Sequence, residues 1–177
     1  MKKHNGMRPH DIVVLLKIAS KRGGEWFMKD LAYELGISSS EISESLNRSA
    51  FSGLIGRDKK KLNYLALIDF LEYGLMYIYP QRPGAIVRGI ATAHSAEPLN
   101  ELIMSEENYV IPYAKGDIRG QMIEPLHPSV PEACMKDELF YKFIALTDSI
   151  RVGRAREKKM AVDKLKKMLR NAQESND

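Results

Sequence analysis

The sequence has one cysteine, Cys134, in 177 residues, so no disulfide can form within the chain. A chain without disulfides suits a reducing compartment. No stretch approaches the roughly 20 apolar residues of a membrane span. The basic N-terminus is not followed by the apolar core of a signal peptide, because Lys17, Lys21 and Arg22 interrupt the one apolar run there. We therefore expect a soluble, cytoplasmic protein with no membrane partner.

The sequence also lacks the spacings that mark common catalytic and metal sites. His94, His127 and Cys134 are few and far apart, and no His-x-x-x-His, Cys-x-x-Cys or Gly-x-Ser-x-Gly motif occurs. Carboxylates such as Asp117 and Glu124 have no sequence neighbour that indicates acid–base chemistry. We expect no enzymatic activity, no metal site and no cofactor.

Positive charge is in modest excess and is clustered. The formal net charge is +4, in a chain with 44% hydrophobic and 28% charged residues, a composition typical of globular proteins. Four cations lie within residues 57–61, and nine Lys or Arg against two acidic residues lie within residues 151–170. Such clusters indicate a polyanionic partner more strongly than scattered charges do.

The first 51 residues predict three helices joined by short turns. The second helix buries Leu31 and Leu35, and Gly36 ends it because a tight turn favours a residue that tolerates positive φ. Ser38 and Glu41 form the Ser-x-x-Glu capping box that begins the third helix. The core-facing residues of the first helix follow the i, i+3, i+4, i+7 spacing: they are Ile12, Leu15, Leu16 and Ala19.

The third predicted helix has one buried and one polar face. Ile42, Leu46 and Ser49 share the inward face, which leaves short polar side chains outward. Hydroxyl, amide and guanidinium groups are the types that bind base edges and phosphates in a major groove, and Glu44 could accept from a cytosine amino group. The candidate DNA-binding residues here are Ser39, Ser40, Ser43, Glu44, Asn47 and Arg48.

A basic hairpin is predicted directly after this helix. The sequence predicts a short strand at Leu54-Ile55, a turn over the following residues and a returning strand at residues 61–63. Cations at its tip would lie along a phosphate backbone or in a minor groove. The candidate DNA-binding residues of the hairpin are Arg57, Lys59, Lys60 and Lys61.

A family resemblance covers this region. Leu31-Ala32, Leu35-Gly36-Ile37-Ser38, Ile42-Ser43 and Leu46-Asn47 resemble the LAxxLGxSxxxxSxxLN pattern of bacterial helix-turn-helix regulators. With the basic hairpin, the first 75 residues are similar to MarR-like winged helix-turn-helix proteins. The resemblance implies a DNA-binding winged helix. Winged helices also serve protein contact alone, which is the alternative for this segment.

A second set of motifs extends the resemblance along most of the chain. The patterns YP...G...RG..TA...PL, G..RG...PL.P.VP.A and LALxDxxRVGRAR resemble uncharacterised MarR-like bacterial proteins, and they imply no activity and no catalytic residues. Residues 87–99 and 118–133 also echo each other, since each carries Arg-Gly and then Glu-Pro-Leu. The echo indicates either paired hairpins or local turn chemistry.

Residues 76–130 predict a β-rich region. A helix capped by Asn63 precedes it, with Leu65, Ile68 and Leu71 inward. The segments LMYIYP, AIVRGI and YVIPY are rich in β-branched and aromatic residues and bounded by proline and glycine, so they predict strands. Five tyrosines could line a ligand pocket, although ordinary packing explains them as well: they are Tyr73, Tyr77, Tyr79, Tyr109 and Tyr113.

Residues 131–177 predict a C-terminal helical region. A long helix from Pro131 to Gly153 carries a wide apolar stripe, which needs either the body of the protein or a second copy as its partner. We expect the dimer contact at residues 131–152. The basic stretch 151–170 is either a solvated terminal helix or a second surface for DNA flanks or an acidic partner.

The sequence thus predicts an α+β fold: a winged helix-turn-helix (1–75), a β-rich middle region (76–130) and a helical region (131–177). The expected function is a dimeric, sequence-specific DNA-binding regulator that represses transcription at an operator, because a two-fold pair reads a palindrome better than one helix does. The alternative is a protein-interaction module, such as an antitoxin or accessory factor with an autoregulatory winged helix.

Overall fold

The computed structural model describes residues 5–175, so the first four residues of the predicted winged helix-turn-helix and the last two of the predicted helical region lie outside the described part. The fold is mixed α+β. The helices are α1 (Pro9–Ser20), α2 (Met28–Leu35), α3 (Ser39–Phe51), α4 (Tyr64–Asp69), α5 (Leu75–Ile78), α6 (Val130–Cys134), α7 (Glu138–Val152) and α8 (Ala155–Glu174). The strands are β1 (Ile86–Ala91), β2 (Tyr109–Pro112) and β3 (Ile118–Met122).

The first three helices and the turn between α2 and α3 follow the sequence prediction. The four residues predicted to face the core from α1 are fully buried, but the residues between them are buried too, and α1 is therefore buried on all sides from Asp11 to Ala19 and not along one stripe. Gly36 ends α2 in the left-handed region, with φ of 63°. The capping box is present: the Ser38 hydroxyl accepts from the Glu41 amide at 3.3 Å, and the Glu41 carboxylate accepts from the Ser38 amide at 3.3 Å. Local signals therefore place α3 directly after a tight turn.

The segment after α3 is a shorter hairpin than predicted. A single antiparallel bridge, Ile55 to Leu62, stands in place of two strands. The Gly56 amide donates to the Lys61 carbonyl at 2.8 Å, which closes the loop. Lys59 has a φ of 57°, a conformation that non-glycine residues adopt at tight turns. We call residues 54–63 the basic hairpin.

The helix after the hairpin is longer than predicted. Asn63 caps α4 by accepting from the Ala66 amide at 3.2 Å. A π-helical turn, Phe70–Gly74, then joins α4 to α5, so the segment LMYIYP predicted as a strand is mostly helix. The inward row is set by Tyr64, Ile68, Leu71 and Leu75. Leu65, predicted to face inward, is 72% exposed because it lies off this row.

The three strands close into a small barrel. β1 pairs antiparallel with both β2 and β3, while β2 and β3 pair in parallel. The two Arg-Gly echoes lie opposite each other, with Arg88 facing Arg119 in the register. A Cβ atom at Gly116 would lie 2.1 Å from the Gly89 carbonyl oxygen. Closure of so small a barrel therefore depends on glycine at this position.

α7 is the central helix of the core. Ten of its fifteen residues are buried, including Phe140, Phe143 and Ile150. The predicted continuous helix from Pro131 is broken before α7, which begins at its own cap: the Asp137 carboxylate accepts from the Phe140 amide at 2.9 Å. The chain itself covers the apolar stripe of α7, so this stripe is not free to form the dimer contact predicted at residues 131–152.

One hydrophobic core joins the three predicted regions, since its buried residues run from Ile12 in α1 to Ala172 in α8. α8 packs across α7, α4 and α1. Among the helices that the structure describes, none has both the length and the hydrophobicity needed to span a bilayer.

Candidate nucleic-acid interface

The outward face of α3 is polar and accessible. Ser39, Ser40, Glu44 and Asn47 are exposed, and Ser43 is half-buried. Ile42, Leu46 and Ser49 hold the opposite face in the core, as predicted. The exposed row continues one turn beyond Asn47 to Phe51, whose side chain is 76% exposed. This arrangement offers hydroxyl, carboxylate, amide and aromatic groups along one helix face.

Arg48 does not belong to this exposed face. Its side chain is buried, and its guanidinium donates to both carboxylate oxygens of Asp11 in α1, at 2.7 and 2.6 Å. This hydrogen bonding raises the pKa of the Arg48 guanidinium above its ordinary value. The prediction that Arg48 contacts DNA is therefore wrong, because position 48 adjoins the buried Ser49 and faces α1. Its role is to fasten α3 to the first turn of α1.

Two histidines border this ion pair. The Arg48 guanidinium donates to Nε2 of His10 at 3.0 Å, which requires a neutral imidazole with its lone pair at Nε2. The His10 and His127 rings lie 5.9 Å apart, edge to face. Burial lowers the pKa of both histidines, so the neutral rings are favoured. The attachment of α3 to α1 thus combines one buried ion pair with a neutral histidine.

The basic hairpin lies directly beside α3. The Lys59 ammonium donates to the Oδ1 atom of Asn47, which joins two predicted site residues across the two elements. The Lys60 ammonium lies 4.9 Å from the ring centroid of Trp26, within cation–π range. Arg57 and Lys61 are exposed. The structure therefore brings Lys59 against the exposed face of α3, whereas Lys60 and Lys61 line a cleft on the Trp26 side of the hairpin.

An open groove of about 730 Å³ separates the C-terminal end of α3 from the hairpin. Its lining includes Asn47, Phe51, Arg57 and Asn63. Phe51 and Asn63 were not among the predicted site residues. Phe51 follows Asn47 at i+4, so the helical period could have placed it on this face. The Asn63 side chain also donates to the Gly53 carbonyl at 3.1 Å, which joins two residues of the groove lining.

A second buried polar cluster contains several residues of the second set of motifs, which extends along most of the chain. Thr92 donates to one oxygen of the Asp148 carboxylate at 2.7 Å, and Arg151 donates to the other at 2.8 Å. Arg151 also donates to the carbonyls of Tyr79 and Glu124, at 3.1 and 3.0 Å. Burial raises the pKa of Asp148, and the Arg151 charge and the Thr92 hydroxyl oppose that shift. Through these hydrogen bonds, α7 contacts the residues that follow β1, β3 and α5.

The five tyrosines predicted as pocket residues are not brought together. Tyr79 lines an open cleft of about 670 Å³ with His127 and Arg151. Tyr73 and Tyr77 are exposed on the outer face of the π turn and α5. Tyr109 packs edge to face against His94, and Tyr113 donates to the Glu132 carboxylate at 2.7 Å.

No described group of three or more His, Cys, Asp and Glu side chains is placed to hold a metal ion. Cys134 is buried, and burial raises the pKa of its thiol. The chain matches no protein-family model, no curated protein and no solved structure.

Proposed function

We propose that the chain is a DNA-binding transcriptional regulator of the winged-helix type. One observation carries the proposal: the polar face of α3 lies beside a hairpin with four cations in five residues, and Lys59 of the hairpin bonds Asn47 of α3. A major groove about 12 Å wide admits a helix, and hairpin cations beside it then reach the phosphates. The two elements have the chemistry that this binding mode needs.

The roles of the residues follow from their types and exposure. Asn47 offers an amide suited to the paired donor and acceptor of adenine, and Ser40 a hydroxyl that can bind several base edges. Ser39 lies in the first turn of α3, where the helix dipole favours a phosphate. Arg57, Lys60 and Lys61 are exposed. On binding, Lys59 exchanges its contact with Asn47 for a phosphate, and Lys60 does the same with Trp26.

The proposal includes a homodimer that represses by occupying an operator. One recognition helix reads only a few base pairs, and a two-fold pair reads two half-sites about one helical turn apart. Because α7 is buried, the contact between copies lies on another surface.

The proposal is tested by selecting bound duplexes from random DNA and then substituting α3. The wild-type chain should enrich one sequence pattern. The Ser40→Ala, Asn47→Ala variant should lose at least about 30-fold in affinity for the selected duplex, because it removes two base contacts that each contribute about 1 to 3 kcal/mol, and it should lose little on random duplex. Asn100→Ala, an exposed control outside α3, should bind both duplexes normally. Selection without enrichment would count against sequence-specific binding.

A second candidate function is a protein-interaction module. It is favoured by Leu65, Tyr73 and Tyr77, large apolar side chains that are exposed along the helical segment from α4 to α5. Co-purification of a stoichiometric protein from the native host, with no retention of the chain on genomic DNA, would support this function over the first.

A further inference from the structure

α8 carries a basic face that its packing leaves free. Between Ala155 and Glu174 the sequence has seven Lys or Arg (156, 158, 159, 164, 166, 167, 170) and three acidic residues (157, 163, 174). The apolar edge of the helix is used in the core by Ala161, Leu165, Leu169 and Ala172. Among the cations, Lys166 is held by Glu72 of the π turn, at 2.5 Å. The exposed cations are Arg156, Lys159, Lys167 and Arg170.

The C-terminal end of α8 lies beside the basic hairpin. A cleft of about 300 Å³ is lined by Lys60 and Lys61 of the hairpin and by Gln173 of α8. Arg170 lies about one helical turn before Gln173, and Lys167 about one turn earlier. Positive charge therefore continues from the hairpin onto α8.

We propose that the exposed face of α8 extends the DNA-binding surface, so that duplex flanking the recognised site runs from the hairpin along this helix. The inference rests on the proposed function. Arg156 and Arg170 are fourteen residues apart, or about 21 Å along the helix axis. Successive phosphates of one strand are about 3.4 Å apart along the duplex axis, so this length matches about six base pairs.

The charge balance of the face agrees with a polyanionic partner. Asp163 and Glu174 are the acidic residues exposed among the cations, and they leave the outward face net positive. Half-buried Lys164 flanks it and adds to that charge. Neighbouring like charges on one helix face repel each other, and a phosphate backbone relieves that repulsion while releasing its counterions. Continuity with the hairpin favours duplex DNA over an acidic protein.

The test compares two duplexes: the selected site trimmed to its enriched positions, and the same site extended by ten base pairs at each end. The test variant is Lys159→Gln, Lys167→Gln, Arg170→Gln. A matched control, Arg82→Gln, Lys115→Gln, Lys136→Gln, removes three exposed charges from elsewhere on the chain. Thermal unfolding checks that both variants fold.

Wild type and the matched control should bind the extended duplex about tenfold more tightly than the trimmed one, with a steeper salt dependence. The α8 variant should bind the extended duplex no more tightly than the trimmed one. The slope of its log affinity against log salt concentration should correspond to about 2 to 3 fewer released counterions. It should bind the trimmed duplex as wild type does. Equal binding of the extended duplex by wild type and the α8 variant would overturn the inference and leave the proposed function intact. Binding of neither duplex by wild type would overturn both. Immobilised poly-glutamate tests for an acidic protein partner. The inference would also be overturned if wild type were retained on it and the α8 variant were not, while both bound the duplexes equally.

Discussion

Replacing Asp11 by asparagine should lower the free energy of unfolding by about 3 kcal/mol, because the change leaves the Arg48 charge buried without a counter-charge. Asp11 is fully buried and accepts from Arg48 at 2.7 and 2.6 Å and from the Arg8 amide at 2.7 Å. Asparagine keeps the size of the side chain but removes its charge. Urea unfolding at neutral pH measures the change.

Two further variants separate the ion pair from a general loss of packing. Adding Arg48→Gln to the Asp11→Asn chain should recover part of the lost stability, because no unpaired charge is then buried. Glu138→Gln breaks the exposed pair with Lys142 and should change stability little. A loss in Asp11→Asn no larger than in Glu138→Gln would contradict the account of how α3 is attached.

Replacing Arg57, Lys60 and Lys61 by alanine should weaken binding to all duplexes on the order of 100-fold, because three phosphate contacts and their released counterions are lost together. The loss should be similar for selected and random sequences, since phosphates carry no base identity. Lys59 is left in place because it bonds Asn47 in the free protein. Fluorescence anisotropy titrations over a series of salt concentrations measure both the affinity and its slope.

The slope of log affinity against log salt concentration distinguishes contacts made by the hairpin from a general effect of net charge. It should fall by about one counterion for each lost contact in the hairpin variant. Arg82→Ala, Lys115→Ala, Lys136→Ala removes the same charge elsewhere and should keep the wild-type slope. An unchanged slope in the hairpin variant would remove the hairpin from the proposed interface.

The elements that sequence reasoning placed correctly are those fixed by local chemistry. The stripe of α1, the left-handed Gly36 and the Ser38–Glu41 box each depend on residues within a few positions of one another. Such short-range signals do not need the rest of the fold. The same locality explains why the exposed row of α3 was predictable up to Asn47.

The misplaced elements depend on distant partners. α5 is helical because Leu75 continues the buried row that begins at Tyr64, which outweighs the β propensity of its tyrosines and isoleucine. The polar side of α7 is buried as well. Asp148 accepts a hydrogen bond from Thr92, which directly follows β1 and lies 56 residues earlier in the chain. No helical period signals such a contact.

The candidate site shows the same division. The hairpin cations and the polar face of α3 could be predicted because they are consecutive or one turn apart. Arg48 could not, since its partner Asp11 lies 37 residues earlier and only the packing of α3 on α1 brings them together. The groove beside Phe51 likewise depends on the hairpin folding back against α3.

The central claim, that the exposed face of α3 enters the groove of a duplex, is tested most directly by photo-crosslinking. Phe51 and Tyr77 are aromatic and equally exposed, at 76% each, but only Phe51 lies on α3. Benzoylphenylalanine at position 51 should crosslink to the selected duplex on irradiation, and the same residue at position 77 should not. Crosslinking from position 77 with none from position 51 would contradict the claim.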